Sequence, residues 1–141
     1  MKILFSTIAL LLHLVAFTQS EPISGIYTRT LGPSNGIEIM YKLSLNKDGT
    51  FLFHSNTKQK GAPAEKNLYG KGTWKIEKKV VTFITNEKTD ISEDYTLDFN
   101  GSKARFISKS PRDKSNRIVE TALQFYESNI FWIETLKLPK M

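Results

Sequence analysis

No cysteine occurs anywhere in the 141 residues. Disulfides, thiolate chemistry and cysteine metal sites are therefore excluded. A bacterial lipid anchor is excluded as well, because it needs a cysteine at the cleavage point. Histidine is nearly absent: His13 lies in the first apolar stretch, which leaves His54 alone. One histidine without cysteine is a poor basis for a transition-metal site, so neither metal nor cofactor is expected. A serine-histidine triad would have to use His54, and the chain has no G-x-S-x-G elbow, Walker loop or dinucleotide fingerprint. After Phe17 no apolar run approaches the ~20 residues that a bilayer span needs. No segment sustains a helical period.

What is present begins with a leader. Met1-Lys2 carries a positive charge, Ile3 to Phe17 is mostly apolar, and Thr18-Gln19-Ser20 offers small residues where a signal peptidase reads. That layout predicts a secretory signal peptide over residues 1–20, cut before Glu21. Residues 21–141 are then one domain, secreted or periplasmic, with no stable membrane anchor. A domain of that length without disulfides depends on its hydrophobic core. Leaving out Lys2, nineteen basic residues face fourteen acidic ones, a net charge of +5. A surplus of that size speaks to solubility and to loose association with anionic partners.

Ile37, Ile39, Tyr41, Leu43 and Leu45 fall on every second residue, and Phe51 and Phe53 resume the pattern after Lys47-Asp48-Gly49. Strict alternation marks half-buried strands. A three-residue turn ending in glycine suits a type I turn with a G1 bulge, which sets Leu45 opposite Phe51 and Leu43 opposite Phe53. Ile23–Arg29 reads as an earlier strand, with Gly25 at a bend or close approach. Leu31–Gly36 reads as a loop. A two-residue turn after Glu77 pairs Ile76 with Val81 and Trp74 with Phe83, although Lys78-Lys79 is a poor turn pair. Tyr95, Leu97 and Phe99 alternate ahead of Asn100-Gly101, a strong hairpin signal. That turn would set Leu97 against Ala104, Tyr95 against Phe106 and, outside, Asp98 against Lys103. Ile118–Tyr126 and Ile130–Leu138 read as a last hairpin, with Leu123 and Phe125 meeting Ile133 and Phe131. Asn56–Leu68 is a polar stretch without period, which reads as a solvated connector or a functional loop. The chain is thus expected to be all-β, an antiparallel meander of eight or nine strands closed into a lipocalin-like β-barrel, since closure removes sheet edges.

The string Leu43-x-Leu45-x-x-Asp48-Gly49-Thr50-Phe51, followed by Gly72-Thr73-Trp74 and Val81-x-Phe83, resembles the small lipocalin-like barrel domains of exported bacterial proteins. The N-terminal domain of the copper-resistance lipoprotein NlpE is of that style. The resemblance spans Gly36 to Ile84 and implies a β-barrel and export. The Cys-x-x-Cys pair and the lipid-bearing cysteine of NlpE are missing, so copper handling and anchoring do not carry over. Lipocalins proper hold Gly-x-Trp in their first strand, whereas Trp74 is mid-chain.

A barrel of about eight strands is either filled by side chains or just wide enough for one small ligand. The first expectation is therefore a non-enzymatic, monomeric binding protein. It would carry a small apolar or amphipathic ligand in an interior lined by Tyr41, Leu43, Phe53, Trp74, Phe83, Tyr95, Leu97 and Phe106, with the Asn56–Leu68 loop near its mouth. The second is a filled-core interaction, inhibitor or envelope module that acts through the last hairpin or meets an anionic partner through Lys103, Arg105, Lys109, Arg112, Lys114 and Arg117. Nucleic acid is not expected, because an exported protein rarely meets it and aromatic interleaving is weak. A third, hydrolytic reading requires Glu120 and Glu134 to face inward together. His54 alternates away from Phe51 and Phe53 and should point outward.

Overall fold

Alternating side chains leave each segment with one apolar face, and eight such segments wrap around a common interior. The computed structural model describes residues 22–141; the predicted leader lies outside the described residues. The strands are β1 (Gly25–Ser34), β2 (Ile37–Leu45), β3 (Thr50–Gln59), β4 (Lys66–Glu77), β5 (Val80–Ile84), β6 (Lys103–Ile107), β7 (Ala122–Glu127) and β8 (Lys137–Pro139). They form one antiparallel sheet in sequence order. The sheet nearly closes on itself: Tyr27 bridges Lys140, and the Met141 amide donates to the Ile26 carbonyl at 2.8 Å. The described residues contain no helix.

The central register follows from local chemistry. Leu45 lies opposite Phe51 and Leu43 opposite Phe53. The turn between them uses Gly49 at φ 89°, and Asp48 Oδ1 accepts from the Thr50 amide at 2.9 Å. Ile76 pairs with Val81 and Trp74 with Phe83, through a turn that holds both Lys78 and Lys79 at positive φ. Gly25 has φ 145°, and its near neighbour is the Lys140 side chain, whose Cε would lie 2.8 Å from a Cβ there, rather than backbone.

Four expected segments are placed differently. Leu31–Gly36 is not a loop. β1 continues through it with an irregularity between Leu31 and Ser34, and the chain reverses at Asn35-Gly36, whose φ values of 52° and 77° suit a type I′ turn. Asn56–Leu68 is mostly paired strand, with Asn56 opposite Asn67 and Thr57 opposite Lys66. Here polar side chains take over what apolar ones do elsewhere: Asn56 Nδ2 donates to Asn67 Oδ1 at 2.8 Å and to Glu65 Oε2 at 2.9 Å.

The Tyr95–Phe99 stretch does not pair with Lys103–Ile107. Only Gly101 of the Asn100-Gly101 turn has positive φ, so the I′ geometry is not adopted. The returning chain joins β5 instead, where Phe83 donates to the Ser102 carbonyl at 2.9 Å and accepts from Gly101 at 3.0 Å. Leu97 and Phe99 are left to fold against the barrel, with the Leu97 amide on the Tyr69 carbonyl at 3.1 Å. Lys103 consequently pairs with Glu127 at 3.6 Å rather than with Asp98.

The last hairpin also differs. Leu123 faces Leu138, and the Phe125 amide donates to the Leu136 carbonyl at 2.9 Å, so Phe131 and Ile133 are not its partners. The β7–β8 connection instead tucks Ile133 fully into the core and leaves Phe131 83% exposed. Trp132 lies within 6.0 Å of both the Tyr41 and Phe53 rings.

Candidate functional site

Tyr27, Leu43, Phe53, Phe83, Phe99 and Leu123 are wholly buried in the barrel interior. Their rings contact in edge and tilted arrangements, Phe53 to Phe99 at 4.9 Å and Phe51 to Phe83 at 5.0 Å between centroids. The interior around them is therefore filled by side chains rather than hollow. Gly70 and Gly72 make this possible: a Cβ at Gly70 would meet the Phe99 ring at 2.7 Å, and one at Gly72 would overlap the Ile84 carbonyl oxygen.

In an antiparallel meander every second connection emerges at the same end. One end carries the β1–β2, β3–β4, β5–β6 and β7–β8 connections. There Leu97, Ile130 and Trp132 pack onto the core and close it, apart from a 210 Å³ recess beside Tyr41, Trp132 and Leu68. The opposite end carries the β2–β3, β4–β5 and β6–β7 connections and the entering chain at Pro22–Ser24. Among the described residues that end is open, with a cavity of about 770 Å³.

The cavity is built from residues of two kinds. Phe106, almost fully buried, and the half-buried Trp74 and Ile23 form its apolar base, and Ile76 forms a wall. The exposed Lys47, Lys79 and Lys109 come from three different connections and stand at its edge. Among the described residues, no carboxylate is in its lining. Several bonds hold the walls. Trp74 Nε1 donates to the Asn46 carbonyl at 3.0 Å. The Phe106 amide donates to the Lys79 carbonyl at 2.8 Å. The Tyr27 hydroxyl donates to the Ile23 carbonyl, and Lys140 Nζ donates to that of Pro22. A volume of this size suits a small organic molecule. An apolar base with cations in the lining suits one that is hydrophobic at one end and anionic at the other. No family model, curated protein or solved structure matches this chain.

The expected interior residues are divided among different places. Trp74 and Phe106 line the open-end cavity. Leu43, Phe53 and Phe83 are packed in the core, and Tyr41 faces the small recess at the closed end. Leu97 covers the core from the β5–β6 connection. Tyr95 lies on the outer wall, where its ring is 5.9 Å from Tyr69 and beneath the Lys71 ammonium at 4.6 Å. The Asn56–Leu68 stretch belongs to the closed end, not to the cavity mouth. His54 does point outward, stacked on Tyr69 at 4.4 Å with Nε2 2.8 Å from Asn67 Oδ1.

The basic cluster also divides. Lys103 and Arg105 lie on the β6 wall, Lys103 against Glu127 and Arg105 over the Tyr126 ring at 4.9 Å. Lys109, Arg112, Lys114 and Arg117 belong to the β6–β7 connection at the open end. Lys47 and Lys79 were not among the expected site residues, because a turn lysine carries no sign of its own. Their convergence was readable only by counting alternate turns to one end. Glu120 and Glu134 are both exposed, in connections at opposite ends, so the inward carboxylate pair is not formed.

Proposed function

We propose that this is a secreted or periplasmic, non-enzymatic binding protein that holds a small amphipathic anion at the open end of its barrel, not in its centre. A fatty acid represents the class. The observation that carries the reading is the cavity itself, which joins the apolar Trp74, Phe106 and Ile23 with three lysines and, among the described residues, no carboxylate. A carboxylate ligand could place its charge among Lys47, Lys79 and Lys109 while its chain covers the Trp74 indole. The lipocalin-like resemblance of the central hairpins accords with this reading.

The two tryptophans permit a direct test, since Trp74 lines the cavity and Trp132 sits at the closed end. Titration with a soluble medium-chain fatty acid should change the fluorescence saturably. Trp74→Phe should abolish the change and Trp132→Phe should leave it. Charge reversal at Lys79 should weaken binding by about fivefold, the scale of a partly exposed ion pair. A signal that follows Trp132, or no saturable change, would sink the reading.

The packed interior and the cations of the β6–β7 connection favour a second reading, an interaction module for an anionic partner. Lys109, Arg112, Lys114 and Arg117 would carry it.

A further inference from the structure

We propose that the β6–β7 connection seats the open end of the barrel on an anionic lipid bilayer. This rests on the second reading above and names the partner of its cationic loop. Residues 109–117 are braced from within. Asp113 Oδ1 accepts from the Ser115 amide at 2.9 Å and its hydroxyl at 2.6 Å, and Asp113 Oδ2 accepts from Arg117 at 3.1 Å. Lys109 Nζ donates to the Ser115 carbonyl at 2.6 Å. This brace leaves Arg112, Lys114 and Arg117 exposed. It also leaves Ile118 94% exposed, next in sequence to Arg117.

A lone exposed isoleucine is ordinary on a protein surface. This one stands among cations, in a braced loop that also forms part of the cavity edge through Ser108, Lys109 and Pro111. Two of the carboxylates at this end are already engaged, Asp48 by Thr50 and Asp113 by Ser115 and Arg117. Glu77 and Glu120 are exposed, but they are outnumbered by Lys47, Lys78, Lys79 and the loop cations. Interfacial binding needs two signals, an apolar group that enters the acyl boundary and basic residues that meet anionic headgroups. Both occur in this loop. A glycan would use the cations but would have no use for Ile118, and an apolar tip among cations beside the mouth of an apolar cavity favours a bilayer over a soluble acidic protein. Seated in this way, the cavity mouth opens toward the bilayer, from which an amphipathic anion could pass without crossing water.

The test is cosedimentation of the purified protein with phosphatidylcholine vesicles, with and without about one-third phosphatidylglycerol. Binding is expected to the anionic vesicles alone and should be lost in about 0.5 M salt. Ile118→Asp, and separately the pair Arg112→Glu and Lys114→Glu, should each weaken it about tenfold with the thermal melt unchanged. The pair Lys60→Glu and Lys88→Glu makes the same charge change in connections at the closed end and should leave binding intact. Equal binding to neutral vesicles, or equal loss in the closed-end pair, overturns the proposal. Binding to soluble heparin that Arg112→Glu and Lys114→Glu weaken, without binding to vesicles, overturns it while the cationic-module reading stands. Binding to neither overturns both. The fatty-acid titration without vesicles is a separate readout, and Ile118→Asp should not alter it.

Discussion

A Cβ on Gly70 would meet Phe99 Cε2 at 2.7 Å, and one on Gly72 would overlap the Ile84 carbonyl oxygen and stand 3.0 Å from the Phe51 ring. Backbone cannot yield as a flexible side chain can, so Gly72→Ala should destabilise by about 2 kcal/mol or more, the scale of overpacking. Phe99→Ala opens the space these glycines leave for the ring and should cost about 3–5 kcal/mol. Chemical denaturation of the two variants checks both values. Titratable groups act at the same scale. Thr50, through its hydroxyl and amide, holds the Asp48 carboxyl below its ordinary pKa. The ionised form is thus favoured on folding. Its contribution is complete above the unfolded value, about 3.9, and is lost as pH falls through the lower folded value. The stability gap between the parent and Asp48→Asn should therefore close below about pH 4, where acid denaturation curves would converge. Burial pushes the Tyr41 phenol up, opposed by Arg29. Stability is therefore lost as pH rises above about 10, and Tyr41→Phe should flatten that alkaline limb.

At the scale of elements, the β4–β5 turn is the least suited to its geometry. Lys78 and Lys79 hold φ values of 49° and 64°, where an L-residue costs about 1–2 kcal/mol. Lys78→Asn with Lys79→Gly supplies the residues a I′ turn prefers and should stabilise the protein by about 1 kcal/mol or more. The same pair removes a cation from the cavity edge, so fatty-acid affinity should fall as the melting temperature rises. The hairpins of β2–β3 and β4–β5 were legible in the sequence down to their register, because a short turn and a period of two leave few alternatives. The Tyr95–Phe99 stretch shows the same alternation and is not a strand of the sheet. Alternation says that one face seeks burial, not what buries it. Here Phe99 finds its place in the barrel beside Gly70, and the neighbouring strand pairs with β5.

The whole molecule depends on a narrow seam. β1 and β8 meet through the Tyr27–Lys140 bridge and the bond from Met141 to Ile26, while the Lys140 amide donates to Thr121 at 2.8 Å. Removing Lys140 and Met141 loses two backbone bonds here, a cost of about 1–3 kcal/mol. It also frees the Pro22 carbonyl from Lys140 Nζ, so the entering chain that walls the cavity should loosen. Lower stability together with weaker fatty-acid binding is the expected result, read by denaturation and fluorescence on one preparation. Capping the opposite end falls to Trp132, Ile133 and Leu136, which the sequence presents as part of a hairpin. They lie in the β7–β8 connection, where Ile133 and Leu136 are buried and the half-buried Trp132 packs against the core.

The sequence by itself determined the all-β class, the meander order and the pairing of the central strands. Those properties are carried by residues within some twenty positions of one another, through turn chemistry and alternation. Only the tertiary structure decided that aromatic rings fill the centre, which end stays open, and that Lys47, Lys79 and Lys109 line one cavity with Trp74. Such outcomes depend on the volume left once eight strands have closed, and on which side chain of a distant connection fits it. No local pattern encodes that remainder, because each candidate residue has the same neighbours in sequence whether it ends in the core, at the rim or in solvent.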